Sequence, residues 1–271
     1  MERDLRHEVR GTGEPLLLVH GTGNSLHVWD PLVERLAARI TVIAVDLPGF
    51  GASPPLTSAG PPPDPAGFAG VLTDFLGRLG HPTAHFAGHS VGGWTALEMA
   101  KLGAARSVVA LSPAGLWARR MPLYVVLSLR ATRLLCRLLD PLLPALLARP
   151  LGRRVLMGQN IARPERVPPA AAVEIVRTFG RSPGFDAHLE ATNPQRFVGG
   201  RSIAVPVTVA FGGKDRMLLR NQSRHRDQLP PQTHWLELPD CGHVPTYDDP
   251  ALVAEVILGG SKVPERPAAS P

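Results

Sequence analysis

The sequence predicts an α/β protein with a mostly parallel central sheet, helices on both faces and a helical insertion between its two halves. Three observations carry that reading. Short apolar runs alternate with stretches of helical spacing, the alternation stops near residue 113, and it resumes near residue 201. Strands separated by helices pair in parallel, and parallel strands covered on both faces read as continuous apolar runs. The first runs span 16–19, 40–45, 84–87 and 107–111, with helical spacing over 31–38 and 91–102 between them. The second half supplies a strand over 205–211, a helix near 219–229, a strand over 234–238 and a last helix over 250–258. Residues 1–112 and 201–258 therefore form one core. Residues 113–200, rich in Leu, Arg and Pro and without strand-like runs, form an irregular helical insertion. The Pro-rich stretch 54–65 reads as a surface loop and 259–271 as a disordered tail.

A chain of 271 residues, 44% of them hydrophobic, is long enough for one large domain with a substantial core. Residues 1–10 contain no apolar run, so no signal peptide is visible and a cytoplasmic location is the default expectation. Cys136 and Cys241 are isolated in sequence and read as reduced packing residues rather than a disulfide framework. The formal charge is +6, but it is uneven. Residues 116–181 hold 12 arginines against Asp140, Glu165 and Glu174, and the remainder of the chain is net acidic. A basic excess confined to one segment does not make a nucleic-acid-binding body, so no nucleic-acid partner is expected. Arginine outnumbers lysine 26 to 3, a bias that genome composition produces without selection for binding.

The sharpest local signal is Gly88-His89-Ser90-Val91-Gly92, directly after an apolar run and directly before a helical one. That context fits a strained strand-to-helix elbow that lifts a serine hydroxyl above the sheet edge, with glycines where side chains would collide with neighbouring backbone. Four further marks stand in order along the chain. His20-Gly21-Thr22-Gly23 follows the first strong strand and Asp46-Leu47-Pro48-Gly49-Phe50-Gly51-Ala52-Ser53 the second. Gly212-Gly213-Lys214-Asp215 follows a late strand, and Cys241-Gly242-His243 precedes the last helix. With these five marks, each at the C-terminal end of a strand, the chain resembles the α/β-hydrolase fold family over nearly its whole length.

The resemblance implies roles. A serine at its ordinary pKa is a weak nucleophile, so a base must take its proton and a third group must hold the base in the right tautomer. Ser90 is the expected nucleophile, His243 the base and Asp215 the orienting acid, with Asp240 as the rival acid. His89 is adjacent to Ser90 but is expected to point away from it, His20 to support the following loop, and the other histidines to pack or to face solvent. The N–H groups of Val91 and Thr22, with Gly23 as the alternative to Thr22, are the expected oxyanion donors. Asp46 to Ser53 resembles the family's structural turn, and Trp29 and Trp94 read as packing residues near the pocket.

The insertion is the expected cap. Arg130, Arg133 and Arg137 recur at helical spacing among Leu127, Leu134, Leu135, Leu138, Leu142 and Leu146. The preferred reading has those leucines packed on the core and the arginines solvated; a cap touching an anionic membrane is the alternative. Arginines and prolines interrupt every apolar run, which argues against a membrane span. The expected activity is hydrolysis of an ester, thioester or similar acyl bond of a small apolar substrate, with no metal or organic cofactor. The rivals are a carbon–carbon bond hydrolase of keto acids, whose carboxylates cap arginines would hold, a cofactor-free perhydrolase and a non-catalytic small-molecule binder. An aspartate nucleophile, as in dehalogenases and epoxide hydrolases, is disfavoured because the elbow position holds Ser90. The natural substrate and the oligomeric state are not readable.

Overall fold

The computed structural model describes residues 4–261 of the 271. Its seven strands are β1 (His7–Arg10), β2 (Pro15–Val19), β3 (Thr41–Val45), β4 (Ala84–His89), β5 (Ala105–Leu111), β6 (Val207–Gly212) and β7 (His234–Leu238). They form one sheet in the order β1-β3-β2-β4-β5-β6-β7, with β1 antiparallel to β3 and the other pairs parallel. The six parallel strands lie where the apolar runs predict. β1 escapes the sequence reading because an edge strand needs no apolar run; its His-Glu-Val-Arg is half-buried or exposed.

Alternation along each strand sends successive side chains to opposite faces. Leu17, Val19, Ile43 and Val45 pack with Phe68, Leu72 and Phe75 of α2 (Pro65–Arg78) and Trp94 and Leu97 of α3 (Val91–Lys101). Leu16, Leu18, Val42 and Ala44 pack with Leu32 and Leu36 of an earlier helix, α1 (Asp30–Ala37), and with the last helix of the chain. α2 begins where the loop through Pro65 was expected to end: Pro65 takes the first helical position and Asp64 Oδ1 accepts from Gly67 N–H at 2.8 Å.

Between β5 and β6 lie α4 (Leu123–Leu138), α5 (Leu143–Leu147), α6 (Pro150–Met157), α7 (Pro169–Arg181) and α8 (Phe185–Thr192). The expectation that the leucines of this insertion pack on the core is not met. Leu127, Leu134, Leu135, Leu138 and Leu142 are all exposed, because the core-facing side of α4 is already filled by Val125, Val126 and Cys136. No helix among the described residues is long and apolar enough to cross a membrane.

After β6 the helix expected near 219–229 shrinks to one turn, α9 (Arg220–Ser223). The backbone N–H of His225 donates instead to Leu116 O at 2.9 Å, and a tertiary hydrogen bond replaces the next helical one. The last helix, α10 (Pro250–Gly260), runs past the expected end at 258, and residues 262–271, most of the expected tail, lie outside the described residues.

Two buried side chains tie the insertion to the core. Asp248 is wholly enclosed; its carboxylate accepts from Gly242 N–H at 2.8 Å, Ala162 N–H at 3.0 Å and Arg163 N–H at 2.7 Å. Val244 N–H adds a bond to Asn160 O at 2.8 Å. On α8, His188 donates from Nδ1 to Pro63 O at 2.7 Å and accepts at Nε2 from the Thr22 hydroxyl at 3.1 Å. Burial pulls the His188 imidazole down to about 4, only partly opposed by the Pro63 carbonyl and Asp64.

Removing the carboxylate in Asp248→Ala strands three buried N–H donors and is expected to cost about 3 kcal/mol or more in urea denaturation. His188 gives a pH signature. The unfolded chain takes up its proton near 6.5 and the folded chain only near 4. This contribution to stability is therefore intact above the higher value and is lost as pH falls between the two, by roughly 3 kcal/mol in all. His188→Gln is expected to flatten that acid limb, which denaturation midpoints at neutral and mildly acidic pH would reveal.

Candidate active site

β4 ends at His89 and α3 begins at Val91, so the chain turns from strand to helix on Ser90 alone. Ser90 has φ 55° and ψ −117°, a positive-φ conformation strained for a residue with a Cβ. Its backbone is clamped: Ser90 N–H donates to Leu111 O at 2.9 Å, and Ser90 O accepts from Ala114 and Trp94 N–H at 3.0 and 3.1 Å. A Cβ on Gly88 would run into the Gly92 carbonyl, and one on Gly92 into the carbonyls of Val19 and His20. The glycines are thus required by close backbone approach, as their places in the sequence suggest.

Strand order brings the loops together. β2 and β4 are neighbours at the point where the order reverses, so the loop after β2 lies beside the elbow. That loop is a turn closed by Asn24 N–H to Gly21 O at 3.2 Å, with Gly23 at φ 76°. His20 is buried behind it, donating from Nδ1 to Gly21 O at 2.8 Å and accepting at Nε2 from Leu47 N–H at 2.9 Å, the supporting part expected of it. Asp46 accepts from Leu26 and Ala52 N–H at 2.6 and 2.8 Å, which makes it the organiser of its turn. Val91 N–H is the first donor of α3 and has no acceptor one turn earlier in the helix.

β6 and β7 are also neighbours, and Asp215 and His243 stand on the loops that follow them. His243 Nδ1 meets Asp215 Oδ2 at 2.9 Å. The second carboxylate oxygen, Oδ1, accepts from Met217 and Leu218 N–H at 2.8 and 2.9 Å. Burial alone would push the Asp215 carboxyl up; the charge of His243 and these hydrogen bonds outweigh it and hold the carboxyl below its usual value. The rival Asp240 is exposed and paired with Lys214 at 2.7 Å and Arg163 at 3.2 Å, away from the imidazole.

Ser90, Val91, Thr22 and His243 all line one cavity. Its opposite wall comes from the insertion, including Val125, Leu129 and Cys136 of α4 and Ile175, Val176 and Phe179 of α7. Among the described residues, none lining it is Asp, Glu, Lys or Arg. Trp29 and Trp94 are buried outside it, whereas Trp117, which nothing in its sequence context marked, forms part of its wall and donates to Gln195 O at 2.7 Å. Burial raises the Cys136 thiol to about 11, so it meets the cavity as a neutral apolar group. Cys241 is likewise buried and free.

His89 finds its partner far away in the sequence. It lines the cavity, donates from Nε2 to the His243 carbonyl at 2.9 Å, and sets its ring edge-on to the His243 ring with centroids 4.7 Å apart. Burial and the neighbouring His243 charge hold it well below the usual histidine value, so it is a neutral support for the loop that carries His243.

Residues 16–256 match the model of the alpha/beta hydrolase family. Epoxide hydrolase EphH of Mycobacterium tuberculosis is 30% identical over 196 residues, 69% of this chain and 92% of that protein. The acetyltransferase component of the acetoin cleaving system of Cupriavidus necator is 37% identical over 114 residues, 41% of this chain and only 30% of that longer protein. Among solved structures, the enol-lactonase from Burkholderia xenovorans LB400 superposes with a TM-score of 0.74 at 19% identity, covering 95% of this chain and 96% of that one. The chain belongs to the alpha/beta hydrolase family.

Proposed function

We propose that this hydrolase cleaves an ester, thioester or similar acyl bond of a small apolar substrate through an acyl-enzyme on Ser90. The observation that carries the reading is a strained serine and a carboxylate-bound histidine opening into one apolar cavity. His243 Nε2 takes the Ser90 proton as Oγ attacks the carbonyl carbon. Asp215, held charged, fixes the Nδ1–H tautomer and stabilises the imidazolium. The tetrahedral oxyanion is met by the N–H groups of Val91 and Thr22, each worth about 3 kcal/mol where preorganised. His243 then gives its proton to the departing alcohol or thiol, and water, deprotonated by the same imidazole, releases the acid.

The lining supports an apolar acyl group over an anionic one. A keto-acid substrate needs cations for its carboxylates, and the arginines of the insertion do not line the cavity. The relative named as an epoxide hydrolase leaves the leaving group open, but here the elbow holds a serine. The helices between β5 and β6 act in this reading as a cap that gives the substrate its chamber.

A fluorophosphonate probe is expected to label the folded protein, with labelling abolished in Ser90→Ala and ester turnover reduced at least about 10⁴-fold. A folded wild type that resists the probe would favour a binding protein instead. Against a series of p-nitrophenyl esters, short to medium chains are expected to outpace long ones; turnover confined to long-chain lipids would reverse that preference.

A further inference from the structure

We propose that the outer face of α4 seats the protein on an anionic lipid bilayer. At 3.6 residues per turn, Leu123, Leu127, Arg130, Leu134, Arg137 and Leu138 fall within an arc of about 100°. All six are exposed, the four leucines to between 57% and 69% of their surface. Isolated apolar residues on a surface are ordinary, but four leucines along one face of a helix are an apolar stripe that water alone does not explain. Leu142, Leu151 and Val155 extend the exposed apolar surface of the insertion.

The charge on the face identifies what covers it. α4 contains no carboxylate. Arg130 and Arg137, with Arg119, Arg120 and Arg149 nearby in the chain, are exposed and make no ion pair among the described residues. Three carboxylates of the insertion are already engaged by other arginines, Asp140 by Arg177 and Arg181, Glu165 by Arg154 and Asp186 by Arg133, and neither Glu174 nor Glu190 pairs with an arginine of this face among the described residues. A second copy of the chain is a poor occupant, because a twofold contact sets this arginine-bearing face against its own like charges. A bilayer with anionic headgroups satisfies both components: leucines enter the acyl boundary while guanidinium groups reach back to phosphate. The opposite arc of α4 presents Val125, Leu129, Thr132 and Cys136 to the cavity, so the seated helix is the wall between bilayer and chamber.

The test is co-sedimentation of the full chain with vesicles of phosphatidylcholine alone or mixed with phosphatidylglycerol, read as bound protein and not as turnover. Its outcome is therefore independent of the acyl-transfer reading. The wild type is expected to bind the mixed vesicles at low salt, to release as salt rises, and to ignore phosphatidylcholine. Binding is expected to weaken by more than about tenfold in Arg130→Glu/Arg137→Glu and in Leu127→Ser/Leu134→Ser/Leu138→Ser. Far-ultraviolet circular dichroism and the thermal midpoint are expected to stay as in wild type, which shows that these variants are folded. No binding to mixed vesicles at low salt, or equal binding by the variants, would overturn the proposal. So would wild-type self-association in light scattering that the serine variant abolishes, since the face would then belong to a second copy.

Discussion

Backbone crowding where β2 and β4 meet is the constraint from which the site follows. Ser90 is held in a positive-φ conformation that costs roughly 1–3 kcal/mol, and the surrounding hydrogen bonds must over-determine it. They do so from three directions, through Leu111 on β5, Ala114 beyond it and Trp94 on α3. The same crowding leaves no Cβ at Gly88 or Gly92 and presses the elbow against the carbonyls that end β2. The elbow at Ser90 and the loop after β2 packed beside it are thus two outcomes of one packing requirement.

Charge is handled on the other side of the sheet's midline, by two buried aspartates with different tasks. Asp215 holds the imidazole and is itself held by two N–H groups, which lets a carboxylate remain ionised beside an apolar chamber. Asp248 touches no wall of that chamber. It binds the loop of His243 to residues 162 and 163 of the insertion, next in the chain to Asn160 and Ile161 of the cavity lining. A backbone contact between Lys214 N–H and Cys241 O, 2.9 Å long, links the loop of Asp215 to the loop of His243 directly.

The parallel strands and their loops were legible because burial on both faces and glycine-dependent turns each leave a local mark. Ser90, Asp215 and His243 stand at such marks, and so does the turn holding Thr22. What stayed hidden acts at long range through residues of ordinary context. Asp248 looks like any aspartate before a helix, and His188 meets Thr22 across 166 positions of chain. The elbow predicts that His89 points away from Ser90, but no local mark names its partner, the carbonyl of His243, 154 residues later. The one-turn α9 was misread for a similar reason, since the Leu116 carbonyl that stops it belongs to a distant segment.

The packing of the insertion's leucines escapes the sequence for a deeper reason. Helical periodicity identifies an apolar face but not what that face meets, and α4 has two: one arc turned to the cavity and one to solvent. With apolar residues on both arcs, the leucines seemed sufficient for a core that Val125, Val126 and Cys136 already complete. The insertion is instead secured at its ends. Asn160 to Arg163 bond to the His243 loop, and Phe179 of α7 lies so close to Gly23 that a side chain there would strike its ring. Both anchors fall on loops that line the site. The insertion is therefore packed against both the His243 loop and the Thr22 turn, so the walls of the chamber and the surroundings of Ser90 share the same contacts.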